Sequence, residues 1–309
     1  MAEIPVWIDC DTGVDDAAAL LCAHKMPQVE LVGISTVAGN VALEKTYANT
    51  RRLCGLMGGE YPIYRGAAQP WKKPLVIAPY IHGEDGLGGA VLPLPEERPQ
   101  ALPAWDAIYQ AAKAWAGEME LVAVGPLTNV ANAIVKYPDL PKYLRRIVIM
   151  GGAARGGNTT PCAEFNIYVD PHAAQCVFKS GIPVVMCGLD VTMQAYFTDE
   201  EIDAVAAKGG SVQRFFRDST RRSMKFCLGR GLPGVSFHDV CALFYVVHPD
   251  LFRGEAAGVY VETQGQLTQG KTVTDLYSDS QFETQNATVV LKVDRPRFVA
   301  LMSELLLEY

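Results

Sequence analysis

Val6-Trp7-Ile8-Asp9-Cys10-Asp11-Thr12-Gly13-Val14-Asp15-Asp16 changes character within eleven residues: an apolar run gives way to four carboxylates and a glycine, and then to a helical pattern. Residues 6–10 read as a strand and residues 15–24 as the helix that follows it. The alternation recurs, with strand-like runs at 31–37, 121–124, 147–150 and 184–187 and helix-compatible segments at 43–57, 129–135, 171–178 and 199–207. These strands are continuously apolar, as strands covered by helices on both faces are. The pattern predicts an α/β fold, a single domain over residues 1–309 with a mostly parallel central sheet flanked by helices. Near the end, residues 258–262 and 288–293 read as strands that extend the sheet, with antiparallel pairing open to them, and 295–307 as a closing helix. Residues 66–103 are rich in Pro and Gly and lack periodicity, which predicts an irregular segment able to cover or line a site.

The four acids stand where a buried strand ends. Packed there they repel one another, and their pKa values rise unless a cation or hydrogen bonds compensate. A hard divalent metal is the natural partner, because Ca²⁺ and Mg²⁺ take oxygen ligands. An acidic helix N-terminus accounts for Asp15 and Asp16, but not for Asp9 and Asp11 on the strand side. An EF-hand loop is excluded, since Gly13 falls at its third ligand position and Leu20 at its closing Glu. A DxD followed by Thr also resembles phosphotransferases that are Mg²⁺-dependent, in which Asp9 would be the nucleophile.

The net charge of −7 denies the chain the basic footprint of a nucleic-acid binder. Eight cysteines without a CxxC pair read as small core residues in a reducing compartment. Met1 to Pro5 run straight into the first strand, without the basic and apolar regions of a signal peptide. No apolar stretch approaches the roughly 18 residues that span a bilayer. The expectation is a cytoplasmic protein with no nucleic-acid or membrane partner.

At the acidic stretch the sequence resembles the inosine-uridine family of nucleoside hydrolases, whose signature is DxDxGxDD; the match is complete, with Thr12 where many members carry Pro. The resemblance recurs in order at Val37-Ala38-Gly39-Asn40, His82-Gly83-Glu84, Gly125-Pro126-Leu127-Thr128-Asn129, Met150-Gly151-Gly152, Ala163-Glu164-Phe165-Asn166, Gly188-Leu189-Asp190 and His238-Asp239. It implies a nucleoside hydrolase-like fold with a Rossmann-like core, and hydrolysis of the N-glycosidic bond of ribonucleosides. It further implies a small-molecule ribonucleoside as partner, and a homodimer or homotetramer.

By the same resemblance Ca²⁺ is held by Asp11, Asp16, Asp239 and the Val124 carbonyl, and Asp11 takes the proton of a metal-bound water. Asp15, Asn40, Asn158, Glu164 and Asn166 hold the ribose hydroxyls, which predicts rejection of deoxyribose. Taken singly, each of these has a plainer reading: Asn40 and Asn166 as turn residues, Asn158 as part of a glycine-rich loop, Glu164 as surface charge. Of the five histidines, His24, His172 and His248 read as structural or solvated. His82, in a Gly-rich loop, and His238, beside Asp239, are the functional candidates; the resemblance makes His238 the acid for the leaving base and His82 a base contact. The stretch Met224-Lys225-Phe226-Cys227-Leu228-Gly229-Arg230-Gly231, which the resemblance places at the base, holds no Tyr or Trp. The blocks around Asn40 and at Val191-Thr192 lean towards broad-specificity or pyrimidine-preferring members. A non-catalytic, Ca²⁺-dependent nucleoside-binding protein is the remaining alternative.

Overall fold

The computed structural model describes residues 3–277, 282 and 284–309; residues 1 and 2 at the start, and 278–281 and 283 in the polar loop before the last strand, lie outside them. Among the described residues eleven strands form: β1 (Ile4–Cys10), β2 (Val29–Thr36), β3 (Ile63–Arg65), β4 (Met119–Ala123), β5 (Leu144–Met150), β6 (Val184–Cys187), β7 (Tyr196–Phe197), β8 (Val235–Ser236), β9 (Phe252–Val261), β10 (Thr272–Asp275) and β11 (Ala287–Val293). β7 and β8 pair only with each other; the other nine make one sheet in the order β10-β9-β11-β6-β5-β4-β1-β2-β3. Every pairing from β11 to β3 is parallel, and β9 runs against both of its neighbours. The C-terminal strands therefore do extend the sheet, with one reversed.

The continuous apolar runs divide by side-chain parity between two cores. Val6, Ile8, Cys10, Val122, Val148, Met150, Val185 and Cys187 face one, while Trp7, Leu121, Ala123, Ile147, Ile149, Val184 and Met186 face the other. A strand buried on both faces has no polar side to alternate with.

Twelve helices cover the sheet among the described residues: α1 (Val14–Lys25), α2 (Leu43–Met57), α3 (Pro79–His82), α4 (Ala104–Ala114), α5 (Thr128–Lys136), α6 (Phe165–Val169), α7 (Pro171–Phe178), α8 (Leu189–Thr192), α9 (Asp199–Ala206), α10 (Ser211–Gly229), α11 (His238–Val247) and α12 (Arg295–Leu307). α1, α2, α10, α11 and α12 lie on the first core, and α4, α5 and α7 on the second. α1 is buried almost all round, and its alanines at 17, 18, 19 and 23 let α11 and α12 pack close against it. The segment 66–103 is irregular apart from α3, so His82 is the last residue of a short helix rather than a loop residue, with Gly83 after it at φ 78°.

Within the sheet, the chain leaves β1 towards β2 and returns through β4 on its other side. Their carboxyl ends therefore splay apart, and such a switch point is where open α/β sheets bind ligands. β1 delivers the acidic stretch to it, and Val124 follows the end of β4, its N–H bonded to the Asp9 carbonyl at 2.8 Å.

Candidate active site

Asp16, third residue of α1, turns its carboxylate back over the helix start and accepts the amide N–H groups of Asp11 at 3.0 Å and Gly13 at 2.8 Å. It thus caps its own helix, yet it also stands against three other acids. Carboxylate oxygens of Asp15, Asp16 and Asp239 lie within 4.8 Å of one another. Asp239 is the second residue of α11 and arrives through the packing of α11 on α1. Asp11 adjoins this group: its Oδ2 accepts the Asn40 N–H at 2.6 Å, while its buried Oδ1 has no hydrogen bond among the described residues.

Burial pushes all four acids up, most clearly Asp11 and Asp239, and it is the largest cause for each. The Asp16 charge adds to the rise of Asp11 and of Asp15, which reaches about 8; the charges of Asp15 and Asp16 add to that of Asp239. Among the described residues no Lys or Arg pairs with any of them, and His82 Nδ1 lies 4.0 Å from Asp15. Three buried acids and a part-buried fourth, an orphaned carboxylate oxygen and no Lys or Arg partner among the described residues suit a hard divalent cation. Val124 lines the same cavity, and its carbonyl accepts the Asn166 amide at 2.8 Å with one of its two lone pairs. Glycine permits the crowding, since a Cβ at Gly39 would collide with the Asp11 carboxylate.

Asp9 has a different fate. Fully buried, it takes hydrogen bonds from Ser35 and from Asn129 Nδ2 at 2.8 Å, and burial lifts it to about 7. It does not line the cavity, which leaves the phosphotransferase reading without an accessible nucleophile.

The cavity itself, about 450 Å³, is lined by Asp15, Asp239 and Val124 among others. Asn40, Asn158, Glu164 and Asn166 form one wall of it. Asn40 Nδ2 reaches Asp16 at 3.2 Å, and Asn166 Nδ2 bridges the carbonyls of Val124 and, at 3.1 Å, Met150. Glu164 is buried, not surface charge: it caps α6 by accepting from Asn166 N at 2.9 Å and also accepts Gly152 N at 2.9 Å. Burial raises it to about 7 against those amides. Asn158 does hold its loop, through a 3.0 Å bond from Phe165 N, and lines the cavity as well.

His82 and His238 line the same cavity, His82 with its Nδ1 4.0 Å from an Asp15 carboxylate oxygen. His82 Nδ1 accepts the Val14 N–H at 3.2 Å, and His238 Nδ1 lies 2.7 Å from the Thr192 hydroxyl. Desolvation lowers His82 to about 3, with a lesser contribution from His238, and lowers His238 to about 4. Burial thus favours the neutral form of both imidazoles in the fold. At the mouth the stretch 224–231 meets the irregular segment, a pairing that the sequence reading did not make. There Tyr80 meets Phe226 of α10 with ring centroids 5.8 Å apart, Arg230 lies 4.2 Å over Phe226, and Ser223 Oγ donates to the Ile81 carbonyl. Phe226 and Arg230 stand in the stretch without Tyr or Trp, and the Tyr that lines the cavity beside them, Tyr80, comes from the otherwise irregular segment.

The family model described as inosine-uridine preferring nucleoside hydrolase matches residues 6–300. The chain is 40% identical over 312 residues to the pyrimidine-specific ribonucleoside hydrolase RihA of Shewanella woodyi, covering 99% of this chain and 98% of that one. To the protein of the same name from Salmonella typhimurium it is 41% identical over 309 residues, with 99% of each covered. Among solved structures it superposes on a plant nucleoside hydrolase with a TM-score of 0.93 at 29% identity, covering 99% of both chains. The purine-preferring ribonucleoside hydrolase from Gardnerella vaginalis gives 0.92 at 31% identity, over 99% of this chain and 100% of that one.

Proposed function

Because the chain belongs to the inosine-uridine preferring nucleoside hydrolase family and is an N-ribohydrolase, we propose that it cleaves pyrimidine ribonucleosides to free base and ribose with the aid of Ca²⁺. One observation carries this reading: a single cavity brings together Asp15, Asp239, His82 and His238 with the polar residues Asn40, Asn158, Glu164 and Asn166. The pyrimidine preference is supported by the printed names of the relatives at about 40% identity.

Asp11, Asp16, Asp239 and the Val124 carbonyl would hold the cation, with Asp15 at its edge. When bound, it supplies Lewis acidity, acidifying the water it ligates and gripping the ribose hydroxyls. Asp11, through the Oδ1 that has no protein hydrogen bond among the described residues, takes the proton from the attacking water. Asp15, Asn40, Asn158, Glu164 and Asn166 fix the ribose, and the surrounding carboxylates favour the positive charge that builds on the sugar as the bond to the base lengthens. His82 and His238 meet the base, with Tyr80 and Phe226 as the apolar surface at the mouth.

Among the described residues no helix is long and apolar enough to cross a membrane. The family resemblance extends the reading to nucleoside salvage in the cytoplasm by a homodimer or homotetramer.

The test is release of reducing sugar from uridine, cytidine, inosine and adenosine, with and without chelator, by the wild type and Asp11→Ala. Release that favours uridine and cytidine, stops with chelator and is lost in the variant supports the proposal. Turnover of purine nucleosides alone overturns the base preference; phosphate release from sugar phosphates, with no sugar from any nucleoside, overturns the reaction.

A further inference from the structure

Thr192 ends the short helix α8, fully buried, and its hydroxyl lies 2.7 Å from His238 Nδ1. Among the described residues that hydroxyl has no other hydrogen-bond partner. Two arrangements fit the distance. Either the hydroxyl donates to a bare Nδ1, or a protonated Nδ1 donates to the hydroxyl. In the second, the hydroxyl proton is left without an acceptor in a place solvent does not reach, and a buried donor left unmade is costly. The first is favoured, and in a neutral imidazole a bare Nδ1 puts the ring proton on Nε2.

The hydroxyl is also held in place. α8 sits on the carboxyl end of β6, and Thr192 N donates to the Gly188 carbonyl at 3.0 Å. Leu189 N donates to the Gly152 carbonyl at 2.9 Å, and Asp190 accepts the N–H groups of Ala154 at 2.7 Å and Arg155 at 3.1 Å. The helix cannot swing away without breaking the loop that also carries Gly152 to Glu164.

We propose that Thr192 is a positioning residue that fixes His238 as its Nε2–H tautomer, so that His238 presents a hydrogen-bond donor, and not a lone pair, to the departing base. The proposal rests on the reading of His238 as the group at the base. His238 lines the cavity, and among the described residues no protein group bonds its Nε2. In the reaction the C1′–N bond breaks with its electron pair passing into the base, while the water oxygen bonds C1′ and gives its proton to Asp11. The base takes its proton from solvent. Nε2–H keeps its own proton and hydrogen-bonds the base atom on which negative charge gathers. With the opposite tautomer, a lone pair would face that charge and repel it.

Two measurements test this on the calcium-loaded protein. The first is ¹⁵N NMR of the histidine-labelled wild type, which distinguishes a protonated from a bare ring nitrogen. The second compares uridine with p-nitrophenyl β-D-ribofuranoside, whose leaving group departs as a stable anion unaided, for Thr192→Val, Thr192→Ser and His238→Ala. The expected result is a protonated Nε2 and bare Nδ1 at His238. Thr192→Val should lower kcat on uridine by roughly tenfold to a hundredfold, the usual effect of removing the partner that orients a functional histidine, with KM little changed. It should turn over the p-nitrophenyl riboside at close to the wild-type rate, and Thr192→Ser should restore uridine. A proton on Nδ1 in the wild type overturns the inference even if Thr192→Val fails to fold. So does full uridine activity in Thr192→Val when His238→Ala is impaired. If His238→Ala also turns over uridine at the wild-type rate, the base-side role of His238 falls and this inference falls with it.

Discussion

Asp9 and Asp11 stand two residues apart at the end of β1, and their surroundings give them opposite work. Asp9 accepts Ser35 and Asn129 on one oxygen, away from the cavity, while Asp11 accepts the Asn40 N–H beside Asp16; each keeps its other oxygen without a hydrogen bond among the described residues. Asp11→Asn is expected to fold and to lose about 10²- to 10⁴-fold in kcat on uridine, the range for removal of a general base. Asp9→Asn instead leaves a buried NH₂ where a carboxylate oxygen was unpartnered, and should lose about 1–3 kcal/mol of stability with kcat nearly unchanged. Denaturant unfolding and uridine turnover of the two variants separate these roles, and comparable kcat losses in both would count against the assignment. The ribose wall makes its own prediction. Buried polar groups left unpaired reject a substrate lacking their partner, so 2′-deoxyuridine should be slower than uridine by about 10⁴-fold in kcat/KM, and equal rates would contradict the roles of Asn40, Glu164 and Asn166. At this scale the sequence was legible where chemistry is dense: Asp15, Asp239, His82, His238 and the polar residues proposed to hold the ribose all line one cavity, with Asp11 and Asp16 beside it. Tyr80 was not, because a single aromatic residue in an aperiodic segment carries no signal of what it will face.

Among the elements, strands were legible because a run buried on both faces is apolar throughout, and α2, α7, β6 and α12 begin and end where the pattern predicted. α10 was not assigned, although it is the longest helix among the described residues. Its buried stripe mixes Val212, Phe215, Phe216 and Met224 with Ser219, Thr220 and Ser223, so it does not stand out as an apolar period. The three-residue β3 was too short to register, and β10, with Val273 exposed, too little buried. α10 nevertheless shapes the mouth of the site through Phe226, and α3 shapes it through Tyr80. If these rings stack on the base, Phe226→Ala should cost about 1–3 kcal/mol in kcat/KM for uridine, mostly through KM, because the contact exists before the bond breaks. A kcat loss with KM unchanged would move Phe226 out of the base site.

For the whole molecule, charge and burial set a pH dependence with a definite sign. Asp9 and Glu164 titrate near 7 and Asp15 near 8 in the fold, above their ordinary values, so without metal the native state binds more protons than the unfolded chain. Their contribution to stability is present below the ordinary carboxylate range and is lost as pH rises through 7 to 8. His82 and His238, lowered to about 3 and about 4, act oppositely, adding stability as pH rises towards the unfolded value of 6.5 and nothing beyond it. The clean window therefore lies above 6.5. The chelated protein should lose Tm between pH 6.5 and 8.5, and saturating Ca²⁺ should remove the part of that loss that comes from Asp15 and the acids beside it, leaving the part from Asp9 and Glu164; calorimetry with a flat chelated curve would contradict the burial argument. The central claim is that this cluster is the metal site of a pyrimidine ribohydrolase, and its most direct test is the rate of ribose release from uridine by metal-stripped protein as Ca²⁺ is titrated back. The account predicts no release at the start and saturable recovery, absent in Asp239→Asn. Undiminished release in excess chelator, with no metal retained by the protein, would contradict it.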